Sequence, residues 1–235
     1  MDNKIFVVIA TYNEKDNLEK LVKEIFSLPI KNLAIIVVDD GSPDGTGKIA
    51  DELAKNYALE VIHRTGKLGL GSALITGFKR AIEKGATLIV SLDADFSHNP
   101  QDIPRLLLQS QAGFDIAIGS RKIAGGGVVG WSAWRRFCSA GAMRLSRLFL
   151  GLKTYDVTTN FRSYKKEALL AINYEKVKSN GYSFFEETIY LAEKANLKIK
   201  EVPVIFNDRT HGKSKLSRKE IFNFFITILR LRFGR

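Results

Sequence analysis

The chain has 235 residues, a net charge of +11, and 45% hydrophobic and 26% charged residues. This length suits one or two domains, and the composition is that of a globular protein rather than a long disordered one. The single cysteine, Cys138, excludes an intrachain disulfide framework and a cysteine-built zinc site. We find no signal-peptide pattern and no run of about 20 apolar residues that could span a membrane. We therefore expect a cytoplasmic protein.

The charge is unevenly distributed along the chain. Residues 1–120 carry 13 basic and 16 acidic side chains, a net charge of −3, whereas residues 121–235 carry 23 basic and 9 acidic ones, a net charge of +14. A strongly basic half indicates a polyanionic partner: a nucleic acid, an anionic membrane or a phosphorylated substrate. A solvated basic surface without any such partner is the alternative.

The first half alternates apolar runs with helical patterns. Strands are predicted at residues 5–10, 34–38, 59–63, 87–92 and 114–119. Helices are predicted at residues 13–27, 46–56 and 70–84. Alternating strands and helices are typical of βαβ units, which build a parallel sheet.

After Arg121 the pattern changes. A glycine-rich loop at residues 125–127 precedes predicted helices at 131–150 and 184–195, a strand at 199–206, a polar basic segment at 207–217 and a helix from Ser217 to about residue 232. This order is typical of one α/β domain followed by a C-terminal amphipathic helix.

Acidic residues follow two of the predicted strands. Asp39 and Asp40 follow the second strand, and Asp93 and Asp95 follow the fourth. In an open α/β sheet, ligands bind at the carboxyl ends of the strands. Two carboxylates two positions apart can both reach one hard cation such as Mg²⁺ or Mn²⁺, whose shell phosphate oxygens usually complete. An exposed acidic turn is the alternative, and the position after an apolar strand favours the metal.

Other motifs carry less information. The glycines within residues 67–72 could let backbone N–H groups approach a phosphate, but they match neither the P-loop nor the dinucleotide fingerprint. The histidines, His63, His98 and His211, are scattered. No nucleophile with an adjacent base stands out, and Cys138 is predicted to pack within a helix.

Eight segments together resemble the family 2 glycosyltransferases with the GT-A fold, and within them the dolichyl- or polyprenyl-phosphate mannosyltransferases in their short form without a transmembrane domain. The matching segments are residues 10–14 (ATYNE), 38–46 (VDDGSPDGT), 69–71 (GLG), 92–98 (LDADFSH), 119–121 (GSR), 125–131 (GGGVVGW), 156–162 (DVTTNFR) and 208–216 (DRTHGKSKL). The resemblance covers nearly the whole chain. It implies a Rossmann-like, mostly parallel sheet flanked by helices.

The resemblance also implies a role for each matched position. Nucleotide-sugar ligands would be Ala10, Tyr12, Glu14, Val38, Asp40, Lys67, Asp93, Ala94, Asp95 and Arg121, and metal ligands would be Asp93, Asp95 and Ser97. Arg135, Arg209, Lys213 and Lys215 would bind the acceptor phosphate or close over the site, and Asp95, Arg121 and Arg135 would be catalytic. Residues 1–120 would form the nucleotide-sugar and metal half of a domain spanning residues 1–216, and residues 121–216 the acceptor half.

Three matched positions depart from the usual pattern of the family. Ala10 stands in place of a proline, Ser97 stands where some relatives carry a glutamine and others a serine, and Asn160 stands in place of a frequent glycine.

The implied reaction is the inverting, metal-dependent transfer of mannose from GDP-mannose to a dolichyl or polyprenyl phosphate. Mg²⁺ or Mn²⁺ and arginine side chains would stabilise the leaving diphosphate. The acceptor phosphate is already an anion at neutral pH and needs no strong general base, which fits the scattered histidines. The basic second half would hold this second phosphate.

The helix at residues 217–235 is predicted to be amphipathic. Its apolar stripe contains Phe222, Phe225, Ile226, Leu229 and Phe233, opposite Lys219, Asn223, Thr227 and Arg230. Such a stripe can lie in an anionic membrane surface or pack on the domain's own core. Trp131 and Trp134 can likewise lie in a membrane surface or pack within the domain. We predict peripheral attachment at the cytoplasmic face of a membrane. The sequence does not decide whether a membrane protein is also a partner.

Two alternative functions remain from the sequence. A UDP-sugar donor would make the protein a polyprenyl-phosphate glucosyl- or aminosugar transferase, since motif spacing does not fix the sugar. A nucleic-acid-binding module would also explain the basic half. No helix-turn-helix or aromatic–basic RNA motif occurs, so we expect no nucleic-acid partner.

Overall fold

The computed structural model describes residues 3–208 and 218–234. Its strands are β1 Ile5–Thr11, β2 Leu33–Asp39, β3 Leu59–His63, β4 Leu88–Ser91, β5 Ile116–Ser120, β6 Gly127–Val129, β7 Arg162–Lys165, β8 Ile199–Pro203 and β9 Ile205–Asn207. Seven of them form one sheet in the order β3-β2-β1-β4-β7-β5-β8, and β6 pairs with β9. Only β7 runs antiparallel to its neighbours, so the predicted mostly parallel sheet is confirmed.

Helices cover both faces of this sheet. They are α1 Lys15–Phe26, α2 Thr46–Ala54, α3 Leu70–Glu83, α4 Ile103–Gln111, α5 Ala133–Leu150, α6 Lys166–Ala171, α7 Tyr182–Lys194 and α8 Arg218–Phe233. Successive residues of a strand point to opposite faces. Phe6 and Val8 of β1 accordingly enter the core beneath α3 and α7, while Val7 and Ile9 enter the core beneath α1, α2 and α4.

Four elements lie where the sequence analysis placed none: α4, β6, β7 and α6. Helix α4 follows a short 3₁₀ turn whose cap, Asn99, accepts a hydrogen bond from the Gln101 amide at 3.0 Å. Strand β7 has the polar sequence RSYK and no apolar run. It is a strand because β4 and β5 supply backbone partners on both of its sides. The strand predicted at residues 199–206 is divided at Val204, where the chain passes from the large sheet to the small one.

Helix α8 presents its apolar stripe to solvent. Phe225, Ile226, Leu229 and Phe233 are exposed, whereas Phe224 and Ile228 are buried against the domain. The side predicted as polar faces inward: Thr227 is buried, and Arg230 donates to Glu187 of α7 at 2.5 Å. The helix therefore packs on the domain and still exposes the stripe. The side chains of Lys219 and Phe222 lie outside the described residues.

The interface between α5 and α7 contains a buried acid. Glu186 of α7 accepts a hydrogen bond from the Ser146 hydroxyl of α5, and its other oxygen has no hydrogen-bond partner. Burial raises the pKa of Glu186 to about 8. The side chain is thus protonated in the folded protein at neutral pH, whereas it is ionised in the unfolded chain.

This difference predicts a pH-dependent stability. Because the folded state keeps a proton that the unfolded state loses, Glu186 reduces the free energy of unfolding as pH rises from the unfolded pKa to about 8. Glu186→Gln, which is always neutral, should flatten this loss and stabilise the protein at pH 8 by on the order of a few kcal/mol. Urea unfolding of both proteins at pH 5 and pH 8 measures it. An equal pH dependence in both proteins would contradict the prediction.

Candidate active site

The candidate site lies along the carboxyl ends of the parallel strands. In the β1–β2 register Ala10 faces Val38 and Thr11 faces Asp39. The hydroxyls of Thr11 and Ser42 donate to Asp39 at 2.9 and 2.5 Å. The Asp39 carboxylate therefore holds the loop that follows β2. The predicted ligands Ala10 and Val38 lie side by side on the two strands, one residue before Thr11 and Asp39.

Asp40 is held by a residue that the sequence analysis did not single out. Its carboxylate lies 2.7 Å from the Arg64 guanidinium and accepts from the Gly69 amide at 2.9 Å. Both side chains of this ion pair are nearly inaccessible to solvent. The pair joins the loop after β2 to the segment that enters α3, so Asp40 organises this side of the site.

Two further predicted donor ligands, Tyr12 and Lys67, lie close together. The Lys67 ammonium stands 4.4 Å from the centre of the Tyr12 ring, a cation–π contact. Glu14 accepts from the Asn17 amide group at 3.0 Å in the first turn of α1. The strand ends thus gather Tyr12 and Lys67 at a position where a planar base and an anionic phosphate can both find partners.

The acidic pair after β4 is fixed by hydrogen bonds. Asp95 is buried, and one carboxylate oxygen accepts from the amide and the hydroxyl of Ser97 at 3.1 and 2.6 Å. Asp93 is 29% exposed and accepts from the Asn160 amide group at 2.9 Å. Ala94 between them is buried in the core. Ser97 therefore orients Asp95, whereas the Asp93 side chain is partly open to solvent.

These groups fit a divalent cation that also binds a diphosphate. Within residues 3–208 and 218–234, no three carboxylate, imidazole or thiol groups converge into a set that could hold a metal ion. Two carboxylates with phosphate oxygens from a substrate are a common arrangement for Mg²⁺. Next to Asp93, the buried amide oxygen of Asn160 has no hydrogen-bond donor. The carboxylate oxygens of Asp93 and Asp95 and this amide oxygen are hard ligands, as such a cation requires.

Arg121, at the end of β5, belongs to a buried ion pair. Its Nε and a terminal nitrogen donate to the two oxygens of Asp156 at 2.7 and 2.6 Å, and its amide donates to the same carboxylate at 3.0 Å. Burial would raise the pKa of Asp156, but the charge and hydrogen bonds of Arg121 hold it below its usual value. Both groups are therefore charged, and the guanidinium is fixed in one orientation.

Arg135 is also paired but is more accessible. Its guanidinium lies 4.0 Å from the centre of the Trp131 ring, and one nitrogen contacts both oxygens of Asp208 at 3.1 Å. Trp131 packs edge-on against Phe206, so it is a packing residue, whereas Trp134 is 72% exposed. The predicted cations Arg209, Lys213 and Lys215 lie outside the described residues.

His98 is a site residue that the sequence analysis did not recognise as functional. The ring is buried, stacks on Phe161 and contacts Asp93 and Thr159. Burial lowers the pKa of His98 below its usual value. Its place three residues after the Asp93–Asp95 motif was the available signal, but a lone histidine in a sequence reveals no partner.

Comparison with known proteins gives the family. The model of the family described as "Glycosyl transferase family 2" matches residues 6–172. The chain belongs to this family. It is 42% identical to polyprenol monophosphomannose synthase of Mycolicibacterium smegmatis over 93% of this chain and 83% of that protein. It is 37% identical to undecaprenyl-phosphate mannosyltransferase of Micrococcus luteus, with 91% and 88% covered.

A third relative and a solved structure extend the comparison. The chain is 39% identical to dolichol-phosphate mannosyltransferase of Pyrococcus furiosus over 97% of its own length and 63% of that protein. Its fold is similar to glucosyl-3-phosphoglycerate synthase of Mycobacterium tuberculosis, crystallised with Mn²⁺ and UDP, with a TM-score of 0.71, 19% identity, and 98% and 80% of the two chains covered. These matches confirm the resemblance and the GT-A fold, and they identify a glycosyltransferase rather than a nucleic-acid-binding module.

The two arginine pairs should differ in their effect on stability. Asp156→Asn removes the carboxylate that balances the buried Arg121 charge and should cost about 3–5 kcal/mol of unfolding free energy. Asp208→Asn breaks an ion pair whose side chains are about one-third exposed and should cost less than about 1 kcal/mol. Urea unfolding of both variants at neutral pH measures the difference. Equal losses of unfolding free energy in the two variants would contradict the prediction that burial makes the Arg121 charge depend on Asp156.

Proposed function

We propose that this protein transfers mannose from GDP-mannose to a dolichyl or polyprenyl phosphate with inversion at the anomeric carbon. The observation that carries the proposal is that one segment, residues 156–162, binds both the metal-motif residue Asp93, through Asn160, and the cation Arg121, through Asp156. The carboxylates for a donor and the cations for a phosphate thus belong to one continuous site. The names of the relatives, which are mannosyltransferases or a phosphomannose synthase, support mannose and a polyprenyl phosphate.

The donor is proposed to bind at the β1, β2 and β4 ends, within residues 1–120. Tyr12 and Lys67 would bind the nucleotide, with Asp40 and Glu14 shaping the loops around it. Asp93 and Asp95 would hold Mg²⁺ or Mn²⁺, which would neutralise charge on the leaving diphosphate. Arg121 follows β5, and Asp156, which balances its charge, keeps the guanidinium in one orientation.

The acceptor is proposed to bind through residues 121–216. One oxygen of its phosphate attacks the anomeric carbon, the bond from that carbon to the diphosphate oxygen breaks, and GDP leaves with the electron pair. No proton has to be removed, so the site needs no general base. Arg135 is suited to the acceptor phosphate because its partner Asp208 is about one-third exposed and can be replaced by a phosphate dianion, with which a guanidinium can form a bidentate contact.

A donor screen tests this function. GDP-mannose, UDP-glucose and UDP-N-acetylglucosamine are each offered with a short polyprenyl phosphate and Mn²⁺ or Mg²⁺, and we expect only GDP-mannose to be consumed. Asp93→Asn and Asp95→Asn should lower turnover by at least about 100-fold, since each removes a charged ligand that acts in the transition state. Glu167→Gln, at an exposed acid on α6, is the control and should be active. Full turnover in EDTA would rule out the metal.

The lipid tail of such an acceptor requires contact with a membrane, and we propose that α5 and α8 provide it at an anionic, cytoplasmic membrane surface. In an ordinary soluble helix the apolar face points inward. Helix α8 buries Phe224 and Ile228 in this way, but it also exposes a second apolar set that contains Phe225, Ile226, Leu229 and Phe233, while Thr227 and Arg230 face the domain. Trp134 and Phe137 of α5 are 72% and 70% exposed and stack on each other.

Charge supports a lipid as the occupant of this surface. Residues 121–153 contain seven basic and no acidic side chains, and Arg136 and Arg144 of α5 are exposed. Exposed aromatic and aliphatic residues among cations are typical of helices that bind anionic lipid interfaces. Among the helices in residues 3–208 and 218–234, none combines the length and the hydropathy of a membrane-spanning segment.

Two leucines of equal exposure test the membrane contact. Leu229 on α8 and Leu170 on α6 are both 52% exposed. Leu229→Ser should weaken binding to vesicles of phosphatidylglycerol and phosphatidylcholine by about three- to tenfold, because burying the exposed half of the leucine side chain contributes about half of the roughly 1.5–3 kcal/mol of a fully buried one. Leu170→Ser should bind as the wild type does. Sedimentation with vesicles measures both, and equal binding by the two variants would remove α8 from the interface.

A further inference from the structure

His98 lies in a closed aromatic and polar environment behind the predicted metal site. Its ring stacks on Phe161 with centroids 5.2 Å apart, and the edge of Phe206 approaches with centroids 5.4 Å apart. Only 2% of the residue is exposed. A polar ring buried to this degree needs hydrogen-bond partners for both nitrogen atoms, and those partners show what it holds together.

The two ring nitrogens bind different parts of the site. The backbone amide of Asp93 donates to Nδ1 at 3.3 Å. A backbone amide can only donate, so Nδ1 has no proton, and the proton of the neutral ring is on Nε2. Nε2 lies 3.4 Å from the Thr159 hydroxyl oxygen, which also accepts from the Phe161 amide at 3.2 Å. The ring therefore bridges the end of β4 and the segment 156–162.

A second contact joins the same two parts of the chain. The side-chain amide of Asn160 donates to the Asp93 carboxylate, and the backbone carbonyl of Asn160 accepts from the Ser91 hydroxyl at 2.7 Å. His98 thus fixes the main chain of Asp93 while Asn160 fixes its carboxylate. Segment 156–162 also holds Arg121 through Asp156, so the His98 contact aligns the acidic and the cationic sides of the site.

We propose that His98 is a positioning residue: it sets the Asp93 carboxylate for the metal–diphosphate complex by tying the Asp93 main chain to segment 156–162. The inference rests on the proposed function for the identity of the ligand, but not for the contact itself. Both nitrogens are engaged within the protein, so His98 does not serve as a base toward the acceptor. Groups that orient metal ligands in this way typically contribute 10–100-fold to metal affinity or activity.

Three substitutions separate the contacts of the ring. His98→Phe keeps an aromatic ring for Phe161 and Phe206 but removes both hydrogen bonds. His98→Asn can place an amide oxygen near the Nδ1 position and restore the contact to the Asp93 amide. Phe161→Leu removes the stacked ring and leaves both nitrogens, so it is the control for lost packing.

Mn²⁺ binding in the presence of GDP, followed by electron paramagnetic resonance, is the main measurement. We expect His98→Phe to weaken it by about tenfold or more, His98→Asn to recover most of the loss, and Phe161→Leu to lower the unfolding midpoint with little change in Mn²⁺ affinity. In turnover, kcat should fall while the KM for the polyprenyl phosphate changes by less than about twofold. Wild-type Mn²⁺ affinity and kcat in a folded His98→Phe would overturn the inference.

Hydrogen exchange at the Asp93 amide tests the contact without any ligand. The exchange should be faster by about tenfold or more in His98→Phe than in the wild type, because the amide loses its acceptor, and Phe161→Leu should change it less. Unchanged exchange in His98→Phe would also overturn the inference. The two proposals can fail separately. If the wild type binds no Mn²⁺ and transfers no sugar, the proposed function is contradicted. If the Asp93 amide still exchanges faster in His98→Phe than in that wild type, the positioning contact is supported.

Discussion

The buried ion pair between Arg121 and Asp156 is the interaction on which the site depends. Removing two charges from water costs several kcal/mol per ion, so such a pair is tolerated only with complete hydrogen bonding. Asp156 accepts three hydrogen bonds from Arg121, and Thr158 accepts a further one. The Asp156 amide in turn donates to Glu201 at 3.0 Å. This pair fixes the end of β5 against residues 156–162, and the remaining contacts of the site build on that alignment.

The antiparallel strand β7 explains how one segment can contact both sides of the site. Segment 156–162 leads directly into β7, which lies between β4 and β5. The metal-motif residues follow β4, and Arg121 follows β5. Because β7 runs opposite to its neighbours, the segment before it lies at the same sheet edge where those two strands end. Asp156 and Asn160 thus reach Arg121 and Asp93 from between the two strands.

Helix α8 shows how a short helix can be part of the core and still expose an apolar surface. Phe224 and Ile228 complete the core beneath α5 and α7, and the contact of Arg230 with Glu187 fixes the rotation of the helix. With that rotation fixed, Leu229 and its apolar neighbours have to face outward. Exposing these apolar side chains to water costs free energy. A lipid interface would remove that cost, and this would drive the helix onto the membrane.

The sequence by itself determined the class of fold, the family and the identity of most candidate ligands. Apolar runs separated by helical patterns specify a parallel sheet locally, and the acidic motifs follow those runs, so Asp93, Asp95 and Asp40 could be found without a structure. Strand β7 could not, because its polar sequence becomes a strand only through the backbone groups of two neighbours distant in the chain. Asp156, Asp208 and Thr159, which contact Arg121, Arg135 and His98, are 35, 73 and 61 positions away from them. Only the tertiary structure decided those pairings, since charge and hydrogen-bonding capacity are properties of a residue, whereas a partner is a property of the fold.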